Sequence, residues 1–173
     1  TGTLTFNSAG SVTINENSSL DLVGVNTADS ADIDSTAAVS DSAATSVDVT
    51  GLLDVSGTSI ALGSGATVFN TGTLTFNSAG SVTISEDSSL DLVGINTAGS
   101  ADIDSTGSVT DAVGGSVDIT GLLDVAGASI ALGSGSFNSG SLTFNSAGSV
   151  TISEDSSLDL VGVNTADSAD IDS

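Results

Sequence analysis

Carboxylates are the only side chains of this 173-residue chain that could do acid–base or metal chemistry: it has 22 Asp and Glu and no Lys, Arg, His, Cys, Met, Trp, Tyr or Pro. Two uses of such groups come into question. Paired acids on a rigid scaffold hydrolyse glycosides, and Asp32 with Asp34 or Asp54 are the candidates. Alternatively, a hard cation such as Ca²⁺ is satisfied by oxygen ligands alone, and Asn26, Asp29, Asp32 and Asp34 lie together in one short stretch. That spacing fits no EF-hand loop, Asp29 becomes Gly99 further on, and Gly114-Gly115-Ser116-Val117-Asp118 lacks the third Gly of the nonapeptide calcium repeat. A nucleophile triad needs His or Lys as base, a zinc site needs His or Cys, and a phosphate cradle needs Lys or Arg. The Asp pattern returns as Asp102, Asp104 and Asp124 and again as Asp170 and Asp172. Catalytic sites are seldom copied at every repeat, so the chain is expected not to be an enzyme.

A formal charge of −22 repels phosphate backbones and anionic lipid. Neither nucleic acid nor membrane insertion is expected, and no apolar run approaches the 18 or so residues a membrane span needs. Such a charge usually means disorder, yet the chain is 38% hydrophobic with a mean hydropathy of +0.35, and its Val, Ile, Leu and Phe are spread evenly. It should fold. Without cysteine there is no disulfide framework. The start at Thr1, with neither Met nor a basic leader, reads as a piece of something longer.

The elements that hold the acids follow from self-comparison. Residues 1–65 and 71–135 match at 51 of 65 positions, and 139–173 match 71–105 at 31 of 35. Three units result: 1–70, 71–138 and the partial 139–173, the second shortened where Gly65-Ala66-Thr67-Val68-Phe69 becomes Gly135-Ser136-Phe137. Within a unit, apolar residues come in pairs two apart, such as Leu4/Phe6, Val12/Ile14, Leu20/Leu22, Val47/Val49, Leu53/Val55 and Ile60/Leu62. This is the signature of very short strands with one buried face. They could build tandem small β-sandwiches or a continuous parallel β-solenoid. Hairpin signals such as Asn-Gly and Asp-Gly are missing, which favours the solenoid.

Taking Leu4, Ala31, Leu53 and Leu74 as coil starts gives coils of 27, 22 and 21 residues. The expectation is an all-β parallel β-helix with three short strands per coil and three coils per unit. In that register Asp21 stacks under Asp48 and Asp32 or Asp34 under Asp54. The second unit repeats this with Asp91 under Asp118 and Asp102 or Asp104 under Asp124. These ten acids are the candidate Ca²⁺ ligands. No flat face carries Thr on every coil, which argues against ice binding. Asn7, Asn70, Asn77, Asn138 and Asn145, each following Phe, read as left-handed corner residues. The strand around Val39 and Val109, with one clear apolar residue, reads as the loosest side.

The Gly-Ser-Val-Thr-Ile segments at 10–14, 80–84 and 148–152, with Leu20-Asp21-Leu22-Val23-Gly24 and Ile60-Ala61-Leu62-Gly63-Ser64-Gly65, resemble the repeat arrays of large secreted bacterial adhesins of the filamentous haemagglutinin type. The likeness is one of composition and rhythm and covers the whole chain. It implies a right-handed helix, export to the bacterial cell surface, and a role as fibre, stalk or adhesin. The residues fit an acidic, non-catalytic extracellular fibre that associates end to end or side by side. The alternatives are an adhesin or calcium-dependent module for a glycan or protein and, more distantly, a polysaccharide-degrading β-helix. Sugar surfaces usually rely on exposed Trp or Tyr, and here there is neither.

Overall fold

Val, Ile, Leu and Phe at every second position, flanked by small polar residues, give each short segment one oily face. A parallel strand buries that face only if another strand stacks on either side. The chain solves this by winding: the computed structural model, which describes residues 2–65 and 67–173, is a right-handed parallel β-helix of about 8 turns. Thr1 and Ala66, the latter part of the two-residue insertion, lie outside the described residues. All strand pairings are parallel, and side chains from three faces meet in a single-file core that includes Leu22, Ile33, Leu53, Leu62, Phe69, Phe76, Ile84, Leu92 and Phe137.

The first face stacks Leu20–Leu22, Ala38–Asp41, Ser59–Leu62, Ser81–Glu86 and Ser100–Ser105. On the second lie Val25–Ala28, the start of Ser46–Gly57 and the start of Val68–Ser78; Leu90–Leu92 continues it from above the corner at Leu74, followed by Ser108–Asp111, Ser129–Leu132 and Ser149–Ser153. The third holds Ser11–Glu16, Ser30–Ser35, the ends of Ser46–Gly57 and Val68–Ser78, and Ile95–Ala98. Ser116–Gly127 and Ser136–Ser146 likewise turn a corner, starting on the third face and ending on the first.

This register corrects the coil count. Ala31, Leu53 and Leu74 do stack, but the residue beneath Ala31 is Val12, and Leu4 lies beneath Leu22. The supposed 27-residue coil is one and a third turns. Strands Ser46–Gly57 and Val68–Ser78 each serve two faces, so the eight strands from Ser11–Glu16 up to Ser81–Glu86 supply ten segments. Ten segments on three faces make three and a third turns. Each unit therefore advances by one face: Ser11–Glu16 lies on the third, its repeat Ser81–Glu86 on the first, and Ser149–Ser153 on the second. At about 4.8 Å per turn a unit adds about 16 Å to the rod instead of the 14 Å of three whole coils.

The corners need glycine for two reasons. Gly24, Gly94 and Gly162 turn with φ of +67°, +64° and +68°, a region costly to residues with a Cβ. Gly72 has no such φ, but a Cβ there would run into the Thr50 and Gly51 carbonyls of the turn below. At a third corner the units disagree: Ala44 sits at φ +64° where the second unit has Gly114 at +80°. Left-handed backbone costs a non-glycine residue about 1–2 kcal/mol, and glycine's looser unfolded state takes back part of the relief. Ala44→Gly is therefore expected to stabilise the protein by about 0.5 kcal/mol in urea denaturation, whereas Gly114→Ala should destabilise it. Val39 and Val109, the core residues of the strands expected to be loosest, are both buried (1% and 0% exposed). The exposed residues next to them lie in the turns on both sides, at Thr36, Ala43 and Ala44 in the first unit and at Thr106, Val113 and Gly114 in the second.

Candidate functional site

Outward positions alternate with core positions along every strand, so the register decides which acids meet. Asp32 faces Asp54 on adjacent turns, with Thr13 below and Thr75 above. One unit later and one face on, Asp102 faces Asp124 between Thr83 and Thr143. Burial and the neighbouring carboxylates Asp32 and Asp34 push the Asp54 carboxyl above its ordinary range; burial, Asp104 and Asp124 do the same to Asp102. Asp34 lies beside Ser56, whose Oγ donates to it at 2.6 Å, and Asp104 lies between Ser85 and Ala126.

The other expected stacks do not form. Asp21 lies between Thr3 and Ser40, and Asp48 between Thr27 and Asn70 on a different face. Asp91 has Thr110 above it, whose Oγ1 donates to its Oδ1 at 2.9 Å, and Asp118 lies between Thr97 and Asn138. The error comes from the missing third of a turn, which carries Asp21 and Asp48 onto separate faces. Among the described residues no three acids converge as a metal group would require. A calcium ion takes six or more oxygens, so each facing pair is at most part of a site.

Like charges one strand spacing apart, with no cation in the chain, are destabilising. Asp54→Asn is expected to raise stability at pH 7 by about 0.5 kcal/mol after allowing for solvent screening. The gain should shrink in 1 M NaCl, where the screening length is about 3 Å. Asp48→Asn, which faces only Thr27 and Asn70, should be neutral. Thermal melts of the two variants side by side check this.

Sequence reasoning missed a different set of polar groups, those that hold turn to turn. Asn26 and Asn96 are fully buried. Asn96 Oδ1 accepts the Phe76 N–H at 3.0 Å, and its Nδ2 donates to the Val93 carbonyl at 2.9 Å. Asn26 does the same with Phe6 and Val23, and Asn164 with Phe144 and Val161. Asn26 therefore belongs to a structural bracket and not to a cation turn. Nor are the asparagines after phenylalanine left-handed corners, since among the described residues Ala44 alone departs to positive φ without being glycine. Asn77 and Asn145 are outward strand positions that accept from Thr97 and Thr165.

Two acids face inward at turns. Asp111 (5% exposed) accepts the N–H groups of Gly133, Ser134 and Gly135 in the next coil at 2.9–3.0 Å. Its counterpart Asp41 accepts from Gly63 at 2.8 Å, and burial raises its pKa. Glu86 and Glu154 are buried (1% and 5% exposed), and each reaches back to the preceding coil. The one signal that could have found them is that Glu occurs only at 16, 86 and 154, once per unit, while every other acid is Asp. A longer side chain is needed where the carboxylate must span to the next turn.

On the surface, Val25, Ile95 and Val163 are 58%, 67% and 79% exposed at equivalent positions of the three units, and so lie on three faces. Ile95 and Leu52 border an open groove of about 700 Å³ with Asp34, Asp54 and Thr75.

Fold and site together define a class: a tandem-repeat parallel β-helix with an acidic surface and carboxylates that bind its own backbone. The chain matches no family model, no curated protein and no solved structure.

Proposed function

We propose that the chain is a structural segment of an extracellular fibre or stalk on a bacterial surface, acidic and without catalytic activity. The observation that supports this reading is continuity across the unit junctions. Val68–Ser78 and Ser136–Ser146 pass from one unit into the next as unbroken 11-residue strands, with Phe69, Phe76 and Phe137 fully buried along them. A solenoid built this way adds length by adding units, whereas a globule stops when its core is full. Carboxylates of one sign keep neighbouring rods apart and in solution. The absence of Lys and Arg leaves trypsin-like proteases nothing to cut. Both properties suit a fibre outside the cell.

Electron microscopy of tandem arrays of two, four and eight units tests the reading. Unbranched rods lengthening by about 16 Å per unit are expected; a string of separate globules would defeat it. Antibody labelling of intact cells of the source organism should place the fibre outside, and labelling only after permeabilisation would refute the location. Calcium enters as a narrower proposal, restricted to the Asp32–Asp54 and Asp102–Asp124 pairs. It stands only if millimolar CaCl₂ raises the melting temperature beyond NaCl of equal ionic strength and Asp54→Asn reduces that excess.

A further inference from the structure

We propose that the Glu86–Asp87 turn is a proton-responsive joint between the first and second repeat units, closing more firmly in mildly acidic medium. The joint stands where the units meet. Glu86 accepts the Thr71 N–H at 3.1 Å, and Asp87 Oδ2 accepts the Phe69 N–H at 2.9 Å while its own N–H donates to the Phe69 carbonyl at 2.9 Å. Two successive acids thus grip Phe69–Thr71, where one unit passes into the next. The following junction is built alike: Glu154 accepts from Ser139 N–H at 2.7 Å, and Asp155 from Phe137 N–H at 3.3 Å.

Glu86 is 1% exposed, and the chain holds no cation to neutralise it. The charged groups around it are few and all acidic. Asp87 is on its own turn; Val68–Ser78 and Ser59–Leu62 beneath carry no titratable residue; Ser100–Ser105 above carries Asp102 and Asp104, both exposed; Leu90–Leu92 carries Asp91, beneath Thr110. Burial, with a smaller push from Asp87, raises the Glu86 pKa to about 7 against the lowering effect of its hydrogen bonds.

The neutral acid keeps the grip. In the ionised form Oε1 accepts from the Ser88 hydroxyl at 2.8 Å and the Ser88 N–H at 3.2 Å. When a proton arrives on Oε1, the Ser88 hydroxyl rotates from donor to acceptor, since a hydroxyl serves as either. The second carboxyl oxygen still accepts from Thr71. The bonds survive and only the buried charge is lost. The folded state therefore binds the proton more tightly than the unfolded chain, whose glutamate titrates near 4.5. Stability is highest below that value, falls as pH rises from about 4.5 to about 7, and is level above. The inference does not depend on the rod being a fibre.

Urea denaturation of the full chain from pH 4.5 to 8.5 at fixed ionic strength, wild type against Glu86→Gln, gives the test. Acidification from pH 8 to 5 should raise the wild-type folding equilibrium constant at least tenfold through this group. Glu86→Gln, uncharged throughout, should lose that part of the pH slope. Because surface aspartates also respond to acid, an unchanged slope in Glu86→Gln assigns the response to them and overturns the proposal. Should the variant fail to fold, ¹³C-carboxyl labelling of the three glutamates in the wild type decides the matter. A Glu86 midpoint near 7 supports the joint, and one below about 5.5 overturns it.

Discussion

Phe76→Ala is expected to lower stability by about 3–5 kcal/mol. Phe76 is fully buried, above Val55 on the third face, in a core one residue deep along the axis. A globule can relax around a missing ring from several directions, but in a single-file core only the turns above and below can move. They are held there by backbone ladders on three faces, so the cavity stays open. Solenoids couple each turn only to its neighbours, so the loss should surface as early exchange of the amides around Phe76 and Val55, next to the unit junction, before the ends of the rod respond. Phe6, the equivalent residue in the first turn and already 8% exposed, should cost less when truncated. Urea melts of the two alanine variants, with native-state hydrogen exchange on Phe76→Ala, check size and place together. Equal losses at both positions would mean that the core is not a stack of separately coupled turns.

The second large effect is expected at Asn96. Its side chain bridges three turns, taking the Phe76 N–H below, giving to its own turn at Val93, and lying 3.4 Å from the Ser116 carbonyl above. Alanine leaves the Phe76 N–H buried without a partner, and an unsatisfied buried group costs about 1–3 kcal/mol. Adding the orphaned carbonyls, Asn96→Ala should cost about 3 kcal/mol. Asn96→Asp is more telling. A carboxylate still accepts from Phe76 but turns a second oxygen toward the Val93 and Ser116 carbonyls, which the protonated acid avoids by donating. Its folded pKa should therefore lie above the ordinary aspartate range, so the variant should be closer to wild type at pH 4 than at pH 7. A variant equally damaged at both would show that the amide's donor contacts matter little.

Much of this architecture is legible in the residues. Alternation assigns inside and outside correctly at Leu20/Leu22, Val47/Val49, Leu53/Val55 and Ile60/Leu62, all of which are buried. What the pattern hides is phase. Val47/Val49 and Leu53/Val55 read as two strands with a break between them, while the backbone runs through Thr50 and Gly51 as one bent strand that serves two faces. Where one coil ends is therefore not marked, and a repeat of ten segments is easily taken for three whole coils. That third of a turn moved Asp21 and Asp48 apart while leaving Asp32 and Asp54 together, because the last three coil starts were in register and the first was not.

The candidate site was harder to read for a related reason. An acid facing solvent and one reaching into a neighbouring coil look much alike in sequence. Asp111 is set apart by backbone N–H groups lying 22 to 24 residues away, and Glu86 by one lying 15 residues away, for which the once-per-unit Glu is the sole sign in the sequence.

The most direct test of the phase is a methyl NOE experiment on Leu, Val, Ile and Ala-labelled protein, read at Leu74. Ten segments per unit place Leu92 over Leu74, and Val82 over Ile60. Strong Leu74–Leu92 and Ile60–Val82 cross-peaks are the predicted result. Three whole coils per unit would instead set Ala101 over Leu74, just as Leu4 would lie beneath Ala31. A Leu74–Ala101 cross-peak in place of Leu74–Leu92 would contradict the account.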